Sequence, residues 1–278
     1  MATVNEYLNE LLNKKQNNYS YTENEKRAYA YISDLLNQWK QRFNSINYYY
    51  PIQIQMELSG SKAKGDAIKG KSDIDIFVSI TDKTNQFTCK DYYEDLYNFL
   101  KPRFATNSLR KQNVSIGISY AGCSIDVTPG KRINYNSYSF NNDYDNHFIY
   151  SRKQNKNIKT NIRKHINLVK NSGLTKEMML IKIWRNCHNL PFPSIAIEII
   201  VNDILLGKNS YNLYSNFKQI LEVLRDSITT RKIIDPANTD NNIADTMDDD
   251  EKENIREIAI QSLSYDHDKT VVISKIVW

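Results

Sequence analysis

The sequence predicts an α+β protein, with a small mixed sheet and its helices over residues 1–150 and a mostly helical region over 151–278. Three observations carry that expectation. Short runs in which apolar and polar residues alternate at period two cluster between residues 52 and 127. Beyond residue 150 the apolar residues recur instead at spacings of three and four. Gly 8 and Pro 6 never gather into a flexible linker, so the two halves are expected to share an interface.

The elements follow in order. Thr22-Glu23-Asn24-Glu25 is a capping-box pattern, and Ala28, Ile32, Leu35, Leu36, Trp39, Phe43 and Ile46 behind it predict an amphipathic helix from about 23 to 45. Ile52 to Leu58 alternates and ends at Ser59-Gly60-Ser61, and Ser72 to Ile80 reads as a second strand; between them lies a short Gly- and Lys-rich turn and helix. Asp91 to Leu100 reads as a helix, and Val114 to Tyr120 with Cys123 to Val127 as a hairpin whose second strand carries Asp126. Helices are then expected over Ile158–Val169, Leu174–His188, Ser194–Leu206, Asn212–Thr229 and Asp249–Leu263. The closing run Val271 to Trp278 is apolar and β-like.

Composition excludes several classes. Hydrophobic residues at 40% and charged residues at 25% are globular values, which leaves out disordered and fibrous chains. No stretch approaches the length of a membrane span, and the first residues lack the apolar region of a signal peptide, so a cytoplasmic location without membrane contact is expected. Cys89, Cys123 and Cys187 are too scattered for a disulfide framework or a zinc cluster. A formal charge of +5 suits polyanionic ligands such as nucleotides.

The chemistry concentrates between Gly60 and Val78. Asp73 and Asp75 are two apart on a strand, so both leave the same face, about 6 to 7 Å apart along the chain. Two such carboxylates repel unless a cation lies between them, and hard divalent ions take oxygen ligands of this kind. A pair of metals can hold the attacking and leaving oxygens of an in-line phosphoryl displacement. Asp126, flanked by Ile125 and Val127 on a neighbouring strand, is the natural third ligand. An Asp-x-Asp pair alone would read as a solvent-facing stripe on an edge strand. Here Gly60-Ser61 follows a strand and opens a helix a dozen residues earlier, where backbone N–H groups and a hydroxyl can grip phosphate oxygens.

The whole pattern, Gly-Ser, Asp-x-Asp on a strand and a later strand Asp, resembles the nucleotidyltransferase superfamily typified by DNA polymerase beta. Leu180-Ile181-Lys182-Ile183-Trp184-Arg185, Phe192-Pro193-Ser194 with its following helix, and Asp235-Pro236 to Ala244 make it similar to the branch with the cGAS and DncV-like synthases, the oligoadenylate synthases and the archaeal-type CCA-adding enzymes. The resemblance implies a polymerase-beta-like catalytic core with mixed sheet and a spine helix, over 1–150. It also implies a helical domain of the oligoadenylate-synthase/cGAS type, 151–278, closing the nucleotide cleft.

Carried over by position, Gly60 and Ser61 would bind the donor triphosphate, and Asp73, Asp75 and Asp126 would be the catalytic residues holding two Mg²⁺ ions, with Mn²⁺ able to substitute. Lys182 and Ser194 match the family's phosphate-contacting lysine and serine; read alone, the first is an exposed helix charge and the second a helix N-cap after Pro193. Many relatives have an aromatic residue after this serine to stack the base, where this chain has Ile195. Asp235, Pro236 and Asn242 read as a structural turn, Trp184 as core, and Cys187-His188 as core or cleft wall.

Arg152, Lys153, Lys156, Lys159, Arg163, Lys164 and Lys170 lie in a stretch without an acid from Ser151 to Thr175. It reads as a solvated loop and helix face, or as a polyanion surface for an activating RNA or the growing product. The acidic run Asp245, Asp248, Asp249, Asp250 and Glu251 suits a helix N-terminus.

The resemblance implies an enzyme joining nucleoside triphosphates (ATP, GTP or pyrimidine nucleotides) into a cyclic di- or trinucleotide second messenger, with release of pyrophosphate, for anti-phage signalling through a separate effector protein. Within the same chemistry a linear oligonucleotide synthase or a CCA-type RNA-terminal nucleotidyltransferase is the alternative. A catalytically silent nucleotide- or RNA-binding relative is a third reading, and three converging charges argue against it.

Overall fold

The structure is a computed structural model that describes residues 3–16, 21–70, 73–133, 145–208 and 212–264. Ser72 and the run Val271–Trp278 therefore lie outside the described residues. The chain divides into two compact units: Tyr19–Ala63 with Ser72–Arg163, and Met1–Asn18 with Lys64–Lys71 and Lys164–Trp278. That division is not a cut at residue 150, because the chain passes from one unit to the other three more times earlier in its length.

The first unit is built on a seven-stranded mixed sheet. Strands β1 (Gln53–Ser59), β2 (Ile74–Thr81), β5 (Cys123–Arg132), β4 (Ile116–Tyr120) and β3 (Leu109–Lys111) lie side by side in that order. The far half of β5 pairs with β6 (His147–Ser151), which pairs with β7 (Lys156–Thr160). Only the β2–β5 contact is parallel among the pairs of this sheet. One face carries Ile74, Ile76, Val78, Ile80, Ile116, Ile118, Ile125 and Val127, all at most 1% exposed.

Their core partners come from two helices. The long amphipathic helix (Glu23–Ile46) forms as expected and contributes Ala28, Ile32, Leu35, Leu36, Trp39 and Phe43. Its N-terminus has the expected reciprocal bonds between Thr22 and Glu25. A second helix (Cys89–Leu100), capped by Thr88 and Asp91, contributes Tyr92, Tyr93, Leu96 and Leu100. Trp39 Nε1 donates to Asp95 Oδ2 at 2.7 Å, which satisfies the indole inside the core.

One expected helix is corrected. Ile158–Val169 does not form a single helix: Lys156–Thr160 is strand β7, with Ile158 opposite Ile149, and the helix begins only at Ile162 and runs to Lys170. Asn155, in the left-handed region at φ 46°, turns the chain back, and an edge strand of alternating basic residues has the same polarity as a solvated helix face.

The second unit is helical. The helices Thr175–Cys187, Ser194–Leu205, Leu213–Ser227 and Asp249–Ser264 match the expected spans within one or two residues. Met178 to Trp184 is buried all round, so that helix forms the centre of the unit, and Trp184 is core as expected. A further helix, Val4–Lys15, buries Leu8, Leu11 and Leu12 in the same core; its Thr3–Glu6 capping box is a sequence signal of the kind read at Thr22. Backbone bonding from Lys69 to Lys15 at 2.7 Å ties the segment 64–71 to its end. Asp235 holds its own turn through Ala237 N–H at 2.8 Å and also meets His165 at 2.8 Å, in keeping with a structural role. Asp248 and Glu251 exchange bonds at the start of the last helix, as an acidic N-terminus should.

Candidate active site

Strand register assembles the site. On the sheet face opposite the core, Ser59 lies beside Asp75, Asp75 beside Asp126, Asp126 beside Gly117 and Gly117 beside Arg110. These five residues form one row across five strands, with neighbouring strands about 4.8 Å apart. Asp73 lies one residue before β2. Its charge reaches Asp126: burial raises the Asp126 carboxyl above the ordinary range, and Asp73 adds to the rise. The structure thus brings the three predicted carboxylates to one end of β2 and β5.

Gly60, at φ +64°, starts the short helix Gly60–Lys64 directly after β1. A Cβ there would lie 1.8 Å from Asp75 Oδ2, so only glycine leaves room for the carboxylate beneath the turn. Ser61 is half-buried on the same helix. Lys62, next along, is ion-paired with Glu25 and stands 4.6 Å from the centre of the Tyr21 ring. Burial, Glu25 and Asp75 together push the Tyr21 hydroxyl up to about 12.

Three neighbours of Asp126 escape sequence reasoning. Gln112 Nε2 donates to Asp126 Oδ1 at 3.0 Å, and Arg110 pulls the Asp126 carboxyl down against burial and Asp73. Gly117 makes this possible, since a Cβ at that position would lie 2.7 Å from Gln112 Nε2 and 2.8 Å from Arg110 Nε.

The donor set offered to a metal is hard carboxylate oxygen throughout, which fits Mg²⁺ or Mn²⁺ rather than a soft ion. Burial is the main cause of the raised Asp126 carboxyl and the charge of Asp73 the next, and it is the second that a cation would relieve. As the side chains stand, no three carboxylate, imidazole or thiol groups among the described residues close on one point, and one Asp126 oxygen is engaged by Gln112. The backbone register fits a divalent ion; binding one would require the carboxylates to turn inward.

Residues 1–164 match the profile of the Second Messenger Oligonucleotide or Dinucleotide Synthetase domain. The chain belongs to this family. It is a nucleotidyltransferase of the cGAS/DncV-like kind, as the motifs implied. The cyclic AMP-AMP-AMP synthase of Escherichia coli strain MS 115-1 is 26% identical over 224 residues, covering 67% of each protein. Among solved structures, E. coli MS115-1 CdnC in its complex with HORMA-deltaN has a TM-score of 0.69 at 18% identity, covering 98% of this chain and 96% of that one. The Vibrio cholerae cyclic AMP-GMP synthase DncV, a prokaryotic cGAS homologue, has a TM-score of 0.58 at 16% identity, covering 81% and 68%. At such identities these structures speak for the polymerase-beta-like fold alone.

The two remaining motif residues of this synthetase belong to its helical unit. Lys182 is not an exposed helix charge: it is 2% exposed and ion-paired with both Asp66 and Glu198, the latter at 2.7 Å. Glu198 also takes Lys64 at 2.6 Å. Burial pushes Glu198 up, but the two lysines outweigh it and hold the carboxyl below the ordinary range. Asp66 goes the other way, because burial raises it more than Lys182 lowers it and Glu198 adds to the rise. Ser194 is not the N-cap of its helix; Pro193 occupies that position, and the Ser194 hydroxyl accepts from Arg185 at 2.9 Å.

The basic stretch is not one loop and helix face. Arg152 and Lys153 lie in the β6–β7 turn, Lys156 and Lys159 on β7, and Arg163 and Lys164 on the helix after it. Arg152 donates to Lys111 O at 3.1 Å and Arg163 pairs with Asp145 at 3.2 Å, so two of these cations have local structural work. Lys156 is exposed and Lys159 half-buried, and neither has an ion-pair partner among the described residues. No helix among the described residues is long and apolar enough to cross a membrane.

Proposed function

We propose that this synthetase joins nucleoside triphosphates into a cyclic di- or trinucleotide, releasing pyrophosphate, in a reaction that requires divalent metal. The observation that carries the proposal is the row Ser59, Asp75, Asp126, Gly117 and Arg110, with Gly60 folded over Asp75. Asp73, Asp75 and Asp126 are the residues that would hold Mg²⁺ or Mn²⁺. Such ions, when bound, supply positive charge to the phosphate oxygens and acidify the attacking ribose hydroxyl.

The chain's own groups do the rest. In the transfer, the hydroxyl oxygen bonds to the donor's α-phosphorus, the bond to the bridging oxygen breaks, and pyrophosphate leaves. Asp126, already above the ordinary carboxylate range, is the group we assign to take up the hydroxyl's proton. Gly60 and Ser61 are assigned to the donor phosphates, and Arg110 supplies a fixed positive charge beside Asp126. Lys182 and Ser194 contact phosphate in this reading only by giving up present partners, Asp66 or Glu198 for the first and Arg185 for the second.

The names of the relatives support the substrate class. The curated relative is a cyclic AMP-AMP-AMP synthase, E. coli CdnC was solved with ATP, and Bradyrhizobium diazoefficiens CdnG with GTP. ATP is therefore the first donor to test, and a product acting on a separate effector protein in anti-phage signalling is the role we assign.

The test is to incubate the protein with labelled nucleoside triphosphates and Mg²⁺ or Mn²⁺, with and without RNA, and then treat with phosphatase. Phosphatase-resistant label is the expected result and reports a ring; sensitive label would mean a linear chain. Asp73→Asn with Asp75→Asn should abolish product while the protein remains folded, and activity surviving in that variant would overturn the assignment.

A further inference from the structure

We propose that Lys182, acting through Asp66, is a positioning residue: it anchors the segment 64–70 in the helical unit and so sets where Ser61 and Asp73, at the two ends of that segment, lie. This role rests on the reading above, in which Gly60 and Ser61 take the donor and Asp73 a metal ion, and it keeps the Lys182 ammonium with its carboxylates. Ser61 stands three residues before Lys64 on the short helix Gly60–Lys64, and Asp73 three residues after Gly70. A shift of the segment therefore reaches both.

The segment is embedded in the unit it belongs to. Ile68 is 6% exposed within that unit's apolar core, and the Lys69 N–H donates to Lys15 O at 2.7 Å beside the bridge between Gln16 and Ile68. Gly65, at φ 90°, makes a left-handed turn between Lys64 and Asp66. The side chains of those two residues end one buried chain of charge: Lys64 pairs with Glu198 at 2.6 Å, Glu198 with Lys182 at 2.7 Å, and Lys182 with Asp66. Lys182 and Glu198 stand on different helices, Thr175–Cys187 and Ser194–Leu205, so the segment is fixed to both at once.

Two features favour an anchor over a phosphate contact. Asp66 and Glu198 are both 0% exposed, and Asp66 Oδ1 has no hydrogen-bond partner among the described residues. Were Lys182 to leave for a phosphate, Asp66 Oδ2 would lose its ammonium as well, and a lone buried carboxyl is strongly disfavoured. Second, a buried ion group is no better than apolar packing as a source of stability; what it adds is one defined arrangement. The arrangement defined here is the place of the segment 64–70 against the two helices.

The test joins amide hydrogen exchange on the metal-free full chain with steady-state kinetics of product formation from ATP. The variants are Asp66→Ala, which leaves Lys64 and Lys182 paired with Glu198, Lys182→Met, and the two together. In Asp66→Ala the Lys69 amide and its neighbours in 64–70 should exchange at least about 10-fold faster than in the unaltered chain, with the helix Leu213–Ser227 unchanged. A lost placement lowers kcat, whereas a lost phosphate contact raises KM with kcat kept. We expect kcat to fall about 10-fold or more in Asp66→Ala while KM for ATP stays within about 3-fold. The double variant should be no slower than the slower single one, because the two residues act as a unit. Unchanged exchange over 64–70 in Asp66→Ala overturns the proposal. So does a Lys182→Met protein whose KM rises with kcat kept, or losses that multiply in the double variant. If Lys182→Met fails to fold, Asp66→Ala decides by itself; if the unaltered chain makes no product, the synthetase reading falls while the exchange rates still judge the anchor.

Discussion

Replacing Gly60 with alanine tests the candidate site at its tightest point. The added Cβ would stand 1.8 Å from Asp75 Oδ2, whereas ordinary contact begins at 3.4 Å, so turn or carboxylate must yield by about 1.6 Å. The φ of +64° adds a left-handed penalty of about 1–2 kcal/mol, which lowers the melting temperature by a few degrees in a chain of this size. The effect on chemistry should be larger, because a displacement of about 1 Å at reacting groups can cost about 100-fold in rate. We expect Gly60→Ala to fold, melt slightly lower, and lose product formation by about 100-fold or more, measured as phosphatase-resistant label per unit time. Near wild-type turnover in a folded Gly60→Ala protein would show that Asp75 need not lie beneath this turn, and would remove the reason for placing the donor there.

Two further outcomes follow from buried charges. Lys182→Met leaves Asp66 without its partner and Glu198 with Lys64 alone, and should cost about 3–5 kcal/mol in urea unfolding; adding Asp66→Asn should recover part of that loss, because Asp66 is the carboxyl that burial already favours in its neutral form. His147 is buried against Ser79 Oγ at 2.7 Å, and burial lowers its pKa from 6.5 to about 4. The unfolded chain binds that proton first as pH falls, so the contribution is complete above pH 6.5 and drains away toward pH 4. The total is about 3 kcal/mol, and His147→Asn should flatten this part of the unfolding profile.

The sequence carries the three carboxylates of the candidate site and little of their surroundings. Asp73, Asp75 and Asp126 are legible because period-two alternation fixes which side chains share a face, and the Gly-Ser turn is legible because its position after a strand is local. Arg110, Gln112 and Gly117 are not, since their approach to Asp126 depends on how β3, β4 and β5 line up, which no local pattern dictates. The bland reading of Lys182 as an exposed helix charge fails for a similar reason: its partners Asp66 and Glu198 lie 116 and 16 residues away, and burial of the whole group is a tertiary outcome. The first helix was readable from Thr3, Glu6, Leu8, Leu11 and Leu12, whereas the grouping of residues 64–71 with the helical unit leaves no mark in composition.

The register that gathers the carboxylates is held by the core rather than by the site. Sliding β5 by one residue against β2 would turn Ile125 and Val127 to the polar face and Asp126 into the apolar layer. Ile125 and Val127 are both 0% exposed, and each buried side chain of this size stabilises by about 1.5–3 kcal/mol, so the slip would forfeit about 3–6 kcal/mol. Two carboxylates about 5 Å apart on adjacent strands repel by about 3 kcal/mol at an effective dielectric of about 20. Burial therefore equals or exceeds the repulsion by up to about two-fold, and putting Asp126 into the apolar layer would add its desolvation cost, so the sheet holds Asp75 beside Asp126 whether or not a cation is present. The Asp126 carboxyl is raised chiefly by its own burial and next by the charge of Asp73, and it is the charge repulsion that a bound divalent ion would relieve. Metal affinity should accordingly survive changes to the turn at Gly60 better than turnover does, because the core sets the first and the turn sets the second.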